Sequence, residues 1–214
     1  MKIFLNKNTK EEALSLLHKG EIIILPTETI FGFFVRADTK KSIESLYDLK
    51  KREMKKPFTL HTRSIEDSIE YAEIDETLFL TLENFCPGPL TVIVPKKEKS
   101  LSFVGTEKNI GVRVVAHPLC QEILSLCPFP VVGTSVNISQ TNTLETVQDI
   151  EKYFPHIPCY CDTYNQKLSL PSTIIDTTKT PFSCLREGKI SFTEFMKTFT
   201  QMKASLLLKK KKTQ

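Results

Sequence analysis

Several short polar clusters and one isolated arginine could do chemistry in this 214-residue chain. Pro26-Thr27-Glu28-Thr29 lies between the aliphatic run Glu21-Ile22-Ile23-Ile24-Leu25 and a second apolar run, Ile30 to Val35. Buried strands on both sides would hold Thr27, Glu28 and Thr29 at a fixed place beside a cavity, although an isolated turn reads the same way. Lys50, Arg52, Lys55 and Lys56 gather at the end of a helical pattern. They either complement a helix C-terminus or form a cationic clamp for phosphates, with Arg52 a planar fork and Lys50 a point charge. Gly133 to Ser139 sets hydroxyls and an amide directly after Pro130-Val131-Val132. Small donors at a strand end suit phosphate or nucleotide oxygens. Arg113 interrupts an apolar strand and either reaches solvent or meets an anion in a cleft. Ser172-Thr173 begins a strand and Arg186-Glu187-Gly188 ends one.

Other chemistries are excluded by what the spacing lacks. There is no Gly-x-x-x-x-Gly-Lys and no Gly-x-Gly-x-x-Gly. The six cysteines, at 86, 120, 127, 159, 161 and 184, form no C-x-x-C pair and have no companion histidines at zinc spacing. They read as buried reduced thiols of a cytoplasmic protein. No apolar stretch reaches membrane-span length, and the N-terminus turns polar too soon for a secretory h-region. The net charge of +4 is mild and concentrated in Lys50–Lys56 and Lys209–Lys212, so the body is not a general nucleic-acid surface. The lysine run reads as a solvated, disordered tail, or one in weak contact with tRNA or acidic partners.

The elements that must position these groups follow from capping and periodicity. Thr9-Lys10-Glu11-Glu12 is a capping box for a helix that stops at Gly20, and Thr39 caps a second helix ahead of Pro57. Ser64 and Asp75 open two more, His117-Pro118 another, and Leu144 to Phe154 carries a further helical period. Ser191-Phe192-Thr193-Glu194 is a second capping box, opening the last helix. Strands are expected at 21–25, 30–35, 58–61, 90–94, 110–115, 130–132, 159–161, 173–176 and 182–185. Several are joined too tightly for helical crossovers, which implies a mixed α/β sheet. Residues 1–200 are expected to form one domain and 201–214 a basic tail.

The clusters also occur in a recognisable order. Pro26–Gly32, Lys50-x-Arg52 with Lys56-Pro57, Pro87-Gly88-Pro89-Leu90-Thr91, Arg113, Thr134-Ser135-x-Asn137-x-Ser139, Pro171-Ser172-Thr173 and Arg186-x-Gly188 together resemble the YrdC-like family over roughly residues 5–190. The resemblance implies an open, twisted mixed β-sheet flanked by helices, with a concave cationic site, in its single-domain form. It implies threonylcarbamoyl-AMP synthesis from L-threonine, bicarbonate and ATP with release of pyrophosphate. A transfer protein then passes the threonylcarbamoyl group to tRNAs that read ANN codons. By the same resemblance Lys50, Arg52, Thr134, Ser135, Asn137 and Arg186 would bind ATP. Thr27, His61, Arg113 and Ser172 would bind L-threonine.

Such chemistry needs no activated protein nucleophile. The substrate's carbamate attacks the α-phosphate, and the protein aligns anions and offsets charge on pyrophosphate. Mg²⁺ would ride on the triphosphate, since the motifs supply few carboxylates, and its protein ligands are unassigned. The chain departs from the family at Phe31 (usually tyrosine), Glu53 (proline), Gly133 (serine), Val136 (alanine) and Gln140 (glycine). Two alternatives are a carbamoyl-AMP-forming module, as in hydrogenase-maturation proteins, and a non-enzymatic RNA-binding protein. The first would bring acylphosphatase and zinc motifs, and the second interleaved surface aromatics and lysines; neither is seen.

Overall fold

The computed structural model describes residues 2–4, 7–97, 101–161 and 170–212. In chain order its elements begin with β1 (Lys2–Phe4), α1 (Lys7–Lys19), β2 (Ile23–Leu25), β3 (Gly32–Arg36), α2 (Lys40–Lys50) and β4 (Thr59–His61). They continue through α3 (Ile65–Ser68), α4 (Glu76–Leu82), β5 (Leu90–Pro95), β6 (Asn109–Arg113), α5 (Pro118–Leu126) and β7 (Val131–Ser135). The last are α6 (Val147–Tyr153), β8 (Cys159–Cys161), β9 (Thr173–Asp176), β10 (Ser183–Arg186) and α7 (Phe192–Lys212).

The described strands make one mixed sheet in the order β1-β8-β2-β3-β7-β4-β6-β5-β9-β10. Tight connections give antiparallel pairs such as β2/β3 and β5/β6, while β4/β6 and β5/β9 are parallel. Successive residues of a strand face opposite sides. Ile23, Leu25 and Phe34 therefore pack with α1 and α5 through Leu17, Leu119 and Ile123. Ile24, Phe33 and Val35 join the larger core with Ile43 and Leu46 of α2, Leu78 of α4 and Phe195 of α7. Burying both faces explains why these strands read as continuous apolar runs.

Register then sets the site. Gly32 pairs with Ser135 and Phe34 with Gly133 across β3/β7. Thr59 pairs with Gly133 across β4/β7, and His61 with Arg113 across β4/β6. Polar residues remote in sequence are thereby placed side by side on rigid strands.

Three expectations need correction. The strand expected at 130–132 is longer, because β7 spans Val131–Ser135 and carries Thr134 and Ser135 on the strand itself. The capping box at Thr9 does not open α1, which begins at Lys7. Residues 201–212 are not a disordered tail: α7 continues to Lys212, with Leu206 buried. These turns continue a helix packed on the core through Phe195, Met196 and Phe199.

Candidate active site

The Pro26–Phe31 connection between β2 and β3 is tied by its own hydroxyls. Thr27 Oγ1 donates to Ile30 O at 2.6 Å and accepts from the backbone N–H groups of Thr29 and Ile30, both at 3.1 Å. Thr29 Oγ1 lies 2.8 Å from Thr27 Oγ1 and accepts from Arg113 Nη2 at 2.9 Å. With the Thr27 proton directed to Ile30, the Thr29 hydroxyl donates to Thr27. Between the threonines, Glu28 Oε1 accepts from Arg113 Nη2 at 2.8 Å and Oε2 from the Ala116 N–H at 3.0 Å. The connection is thus bolted to the end of β6 and the residues after it.

Arg113, 8% exposed, and Glu28, 15% exposed, form a largely buried ion pair. The sequence left open whether Arg113 meets solvent or an anion; it meets an anion from its own chain. Its Nε is buried without a partner among the described residues. Two further arginines line the same cavity as Arg113. Arg52 donates from Nε to Lys56 O at 2.7 Å and from Nη2 to Pro57 O at 3.1 Å, with its guanidinium 5.1 Å from the Phe58 ring. Arg186 donates from Nε to Ser172 O at 2.9 Å and from Nη2 to Ser172 Oγ at 3.0 Å. Among the described residues neither pairs with a carboxylate. Burial lowers the pKa of both, and the Arg113 charge lowers that of Arg186 further. Two cations anchored only by neutral oxygens keep their charge for a ligand.

Thr27, His61, Arg113 and Ser172 all line this cavity, as do Arg52, Thr134, Ser135 and Arg186. Lys50 and Asn137 do not. Lys50 is 1% exposed, and Nζ donates to Ser135 O at 2.6 Å, Asn137 Oδ1 at 2.7 Å and Asn137 O at 2.9 Å. An ammonium has three donors, and here all three have acceptors within the protein. Burial, with the Arg52 charge second, pulls the Lys50 pKa down to about 7. Asn137 Oδ1 also accepts from Ser135 Oγ at 2.8 Å, and its Nδ2 donates to Thr141 O at 2.7 Å. Lys50 and Asn137, expected at the phosphates, form a clamp behind the cavity wall. Lys55 and Lys56 leave the expected cationic cluster as well, pairing with Glu53 at the surface.

His61 carries no charge here. Its Nδ1 lies 3.1 Å from Thr59 O, a pure acceptor, so the proton sits on Nδ1 and Nε2 keeps its lone pair. Burial first, then the Arg113 charge, pulls its pKa to about 3. Such a group accepts hydrogen bonds but is too weak a base to deprotonate an ammonium. Below the ordinary value of 6.5 the unfolded chain binds a proton that the folded protein refuses. His61 therefore stabilises the fold fully above that value and loses its contribution as pH falls toward about 3, by ~1.4 kcal/mol per pH unit. Thermal melts between pH ~7 and ~5 should show a steeper decline for the wild type than for His61→Gln. Parallel declines would show that His61 is not held neutral.

Gly133, which stands where the resemblance places a serine, has a steric cause. A Cβ there would lie 2.7 Å from His61 Cε1, 2.9 Å from its Nδ1 and 2.9 Å from Phe34 Cε1. With no side chain at 133, His61 and Phe34 meet edge to face, with ring centroids 5.1 Å apart. Phe31, in the usual tyrosine position, is 1% exposed and keeps an aromatic surface on the cavity.

Residues 15–188 match the Sua5/YciO/YrdC family model, described as "Telomere recombination". The chain belongs to the Sua5/YciO/YrdC family. A Methanocaldococcus jannaschii protein is 31% identical over 191 residues, covering 87% of this chain and 90% of its own. The threonylcarbamoyl-AMP synthase of Vibrio parahaemolyticus is 33% identical over 146 residues, 66% of this chain and 79% of that protein. Pyrococcus abyssi Sua5 complexed with L-threonine superposes with a TM-score of 0.85 at 25% identity, over 92% of this chain. This chain spans 60% of that longer one. Escherichia coli YciO superposes at 0.82 over 91% of this chain and 98% of its own, and at 21% identity it shows the fold alone.

The family's fold is thus the one expected from the ordered motifs. The site features that sequence reasoning missed are the partners. Glu28 was visible between two threonines, but nothing local pairs it with an arginine 85 positions away. Thr59 and Thr91 also line the cavity, and only register and packing bring them there.

Proposed function

We propose that this Sua5/YciO/YrdC protein is a threonylcarbamoyl-AMP synthase. The observation that carries this reading is a cavity with two differently held kinds of cation. Arg113 is fixed by a carboxylate, whereas Arg52 and Arg186 are fixed by neutral oxygens and retain their charge. Two anionic groups of different kinds, a carboxylate and a polyphosphate, suit that division. The V. parahaemolyticus relative named for this activity and the threonine-bound state of P. abyssi Sua5 support it.

In this reading the amine of L-threonine adds to CO₂ supplied by bicarbonate, giving a carbamate and releasing water and a proton. A carbamate oxygen then attacks the α-phosphorus of ATP, and pyrophosphate leaves. Protein groups need only align the reactants and balance charge. The serines at the cavity fit that demand, since the Ser135 hydroxyl donates to Asn137 and Ser172 accepts from Arg186. His61 offers Nε2 as an acceptor. Mg²⁺ bound with ATP belongs to this reading; both oxygens of Glu28 are engaged, so the ion would draw its ligands from the triphosphate and water. A transfer protein would carry the labile mixed anhydride onward to tRNA. No helix among the described residues is long and apolar enough to cross a membrane.

The test is pyrophosphate release in ATP and bicarbonate, with amino acids added singly. L-Threonine should stimulate release, and carbamoyl phosphate should not replace it. Absence of threonine-dependent release would remove the reading.

A further inference from the structure

The three cavity arginines are not equivalent, and the difference lies in one residue. Arg52 and Arg186 rest on carbonyl and hydroxyl oxygens, while Arg113 alone rests on a carboxylate, that of Glu28. Glu28 is itself fixed at both oxygens, to Arg113 Nη2 and to the Ala116 N–H. Thr29 supplies a second anchor to the same Nη2. Arg113 and Arg186 are close enough that the charge of one lowers the pKa of the other. A polyphosphate seated on Arg186 would therefore have Arg113 within electrostatic reach.

We propose that Glu28 is a positioning residue that aims Arg113 and reserves it for a zwitterionic amino acid, keeping the triphosphate off it. The inference rests on the synthase reading. Two anchors on Nη2 hold the guanidinium plane, so the part of Arg113 that lines the cavity is presented in one orientation without being ordered on binding. The Glu28 charge offsets part of that of Arg113 at longer range. A zwitterion with no net charge is little affected, because its carboxylate gains directional hydrogen bonds at contact distance. A multiply charged triphosphate, drawn mainly by net charge, meets a neutral pair and the repulsion of Glu28. One buried carboxylate thus divides a cavity with three arginines into an amino-acid end and a phosphate end.

The Glu28→Gln variant keeps the shape and an acceptor oxygen but removes the charge. Calorimetric titration of L-threonine at rising concentrations of α,β-methylene-ATP, which cannot react, reads both effects. In the wild type the nucleotide analogue should not compete with threonine. In Glu28→Gln, threonine should bind about tenfold more weakly, and the analogue should weaken it further in a competitive pattern. A purely architectural role would not create that competition. Unchanged threonine affinity, or loss of threonine and nucleotide binding together without competition, would overturn the inference. Should Glu28→Gln not fold, Thr29→Val decides: it removes an anchor but no charge. It should then weaken threonine to a smaller degree without competition, and either unchanged affinity or new competition would overturn the inference. A wild type that neither binds threonine nor releases pyrophosphate with it would instead sink the synthase reading itself.

Discussion

A Lys50→Met variant should fold and yet release pyrophosphate about 100-fold more slowly than the wild type, although Lys50 does not line the cavity. Methionine fills the space of the lysine stem but leaves Ser135 O, Asn137 O and Asn137 Oδ1 without their common donor. Asn137 Oδ1 keeps the Ser135 hydroxyl as a donor, whereas a carbonyl left unpaired away from water costs about 1–3 kcal/mol. The end of β7 can avoid that cost only by moving, and Thr134 and Ser135 on the cavity wall move with it. A displacement of about 1 Å at a positioning group is enough for ~100-fold in rate. Global stability should fall by less than the sum of the lost bonds, because methionine also relieves the desolvation that pulls the Lys50 pKa down. Lys50→Arg should not rescue turnover, since a planar fork cannot serve three acceptors converging on one point. Steady-state kinetics against ATP, with a thermal melt of each variant, check this. Wild-type turnover in a folded Lys50→Met protein would mean that the 135–137 segment keeps its shape unaided.

The same clamp marks where sequence reasoning stops. Lys50 was singled out in a cationic cluster at a helix end, Asn137 among small donors at a strand end and Arg113 within an apolar strand, and all three prove to be buried or engaged. What the sequence could not supply was the partner. A lysine at a helix end is equally compatible with a phosphate and with carbonyls some 85 positions away, and only the β3/β7 pairing brings Ser135 within reach. Local features were legible where the physics is local. Ser64 and Asp75 accept from the N–H groups of Asp67 and Leu78 as helix caps, at the positions expected of them. Thr39 occupies its N-cap position, but its hydroxyl bonds Ser42 rather than the backbone. β1 went unread because it forms only by parallel pairing of Lys2–Phe4 with β8. Gly133 looked like a lost hydroxyl because its cause, the space taken by His61 and Phe34, is tertiary.

Replacing Arg113 should have two separable consequences, and a double-mutant cycle tells them apart. Arg113→Met removes the counter-charge of the Glu28 carboxylate, which is only 15% exposed and keeps the Ala116 N–H. Removing one partner of a buried pair costs about 3–5 kcal/mol, whereas replacing both by apolar or neutral groups is often close to neutral. Arg113→Met should therefore lower stability strongly, and adding Glu28→Gln should restore most of it. Threonine affinity should behave differently. A carboxylate that loses a charge-assisted hydrogen bond loses about 1.5–3 kcal/mol, or roughly 10- to 150-fold in affinity. Nothing in the second substitution replaces the guanidinium, so affinity should stay low in the double variant while stability recovers. Threoninol, which lacks the carboxylate, should bind the wild type weakly and lose almost nothing in either variant. Coupling energies for neighbours in one network run to about 0.5–3 kcal/mol, so coupling in stability without coupled recovery of threonine binding is measurable. Equal weakening of threonine and threoninol would place Arg113 in the scaffold and take it out of the amino-acid site.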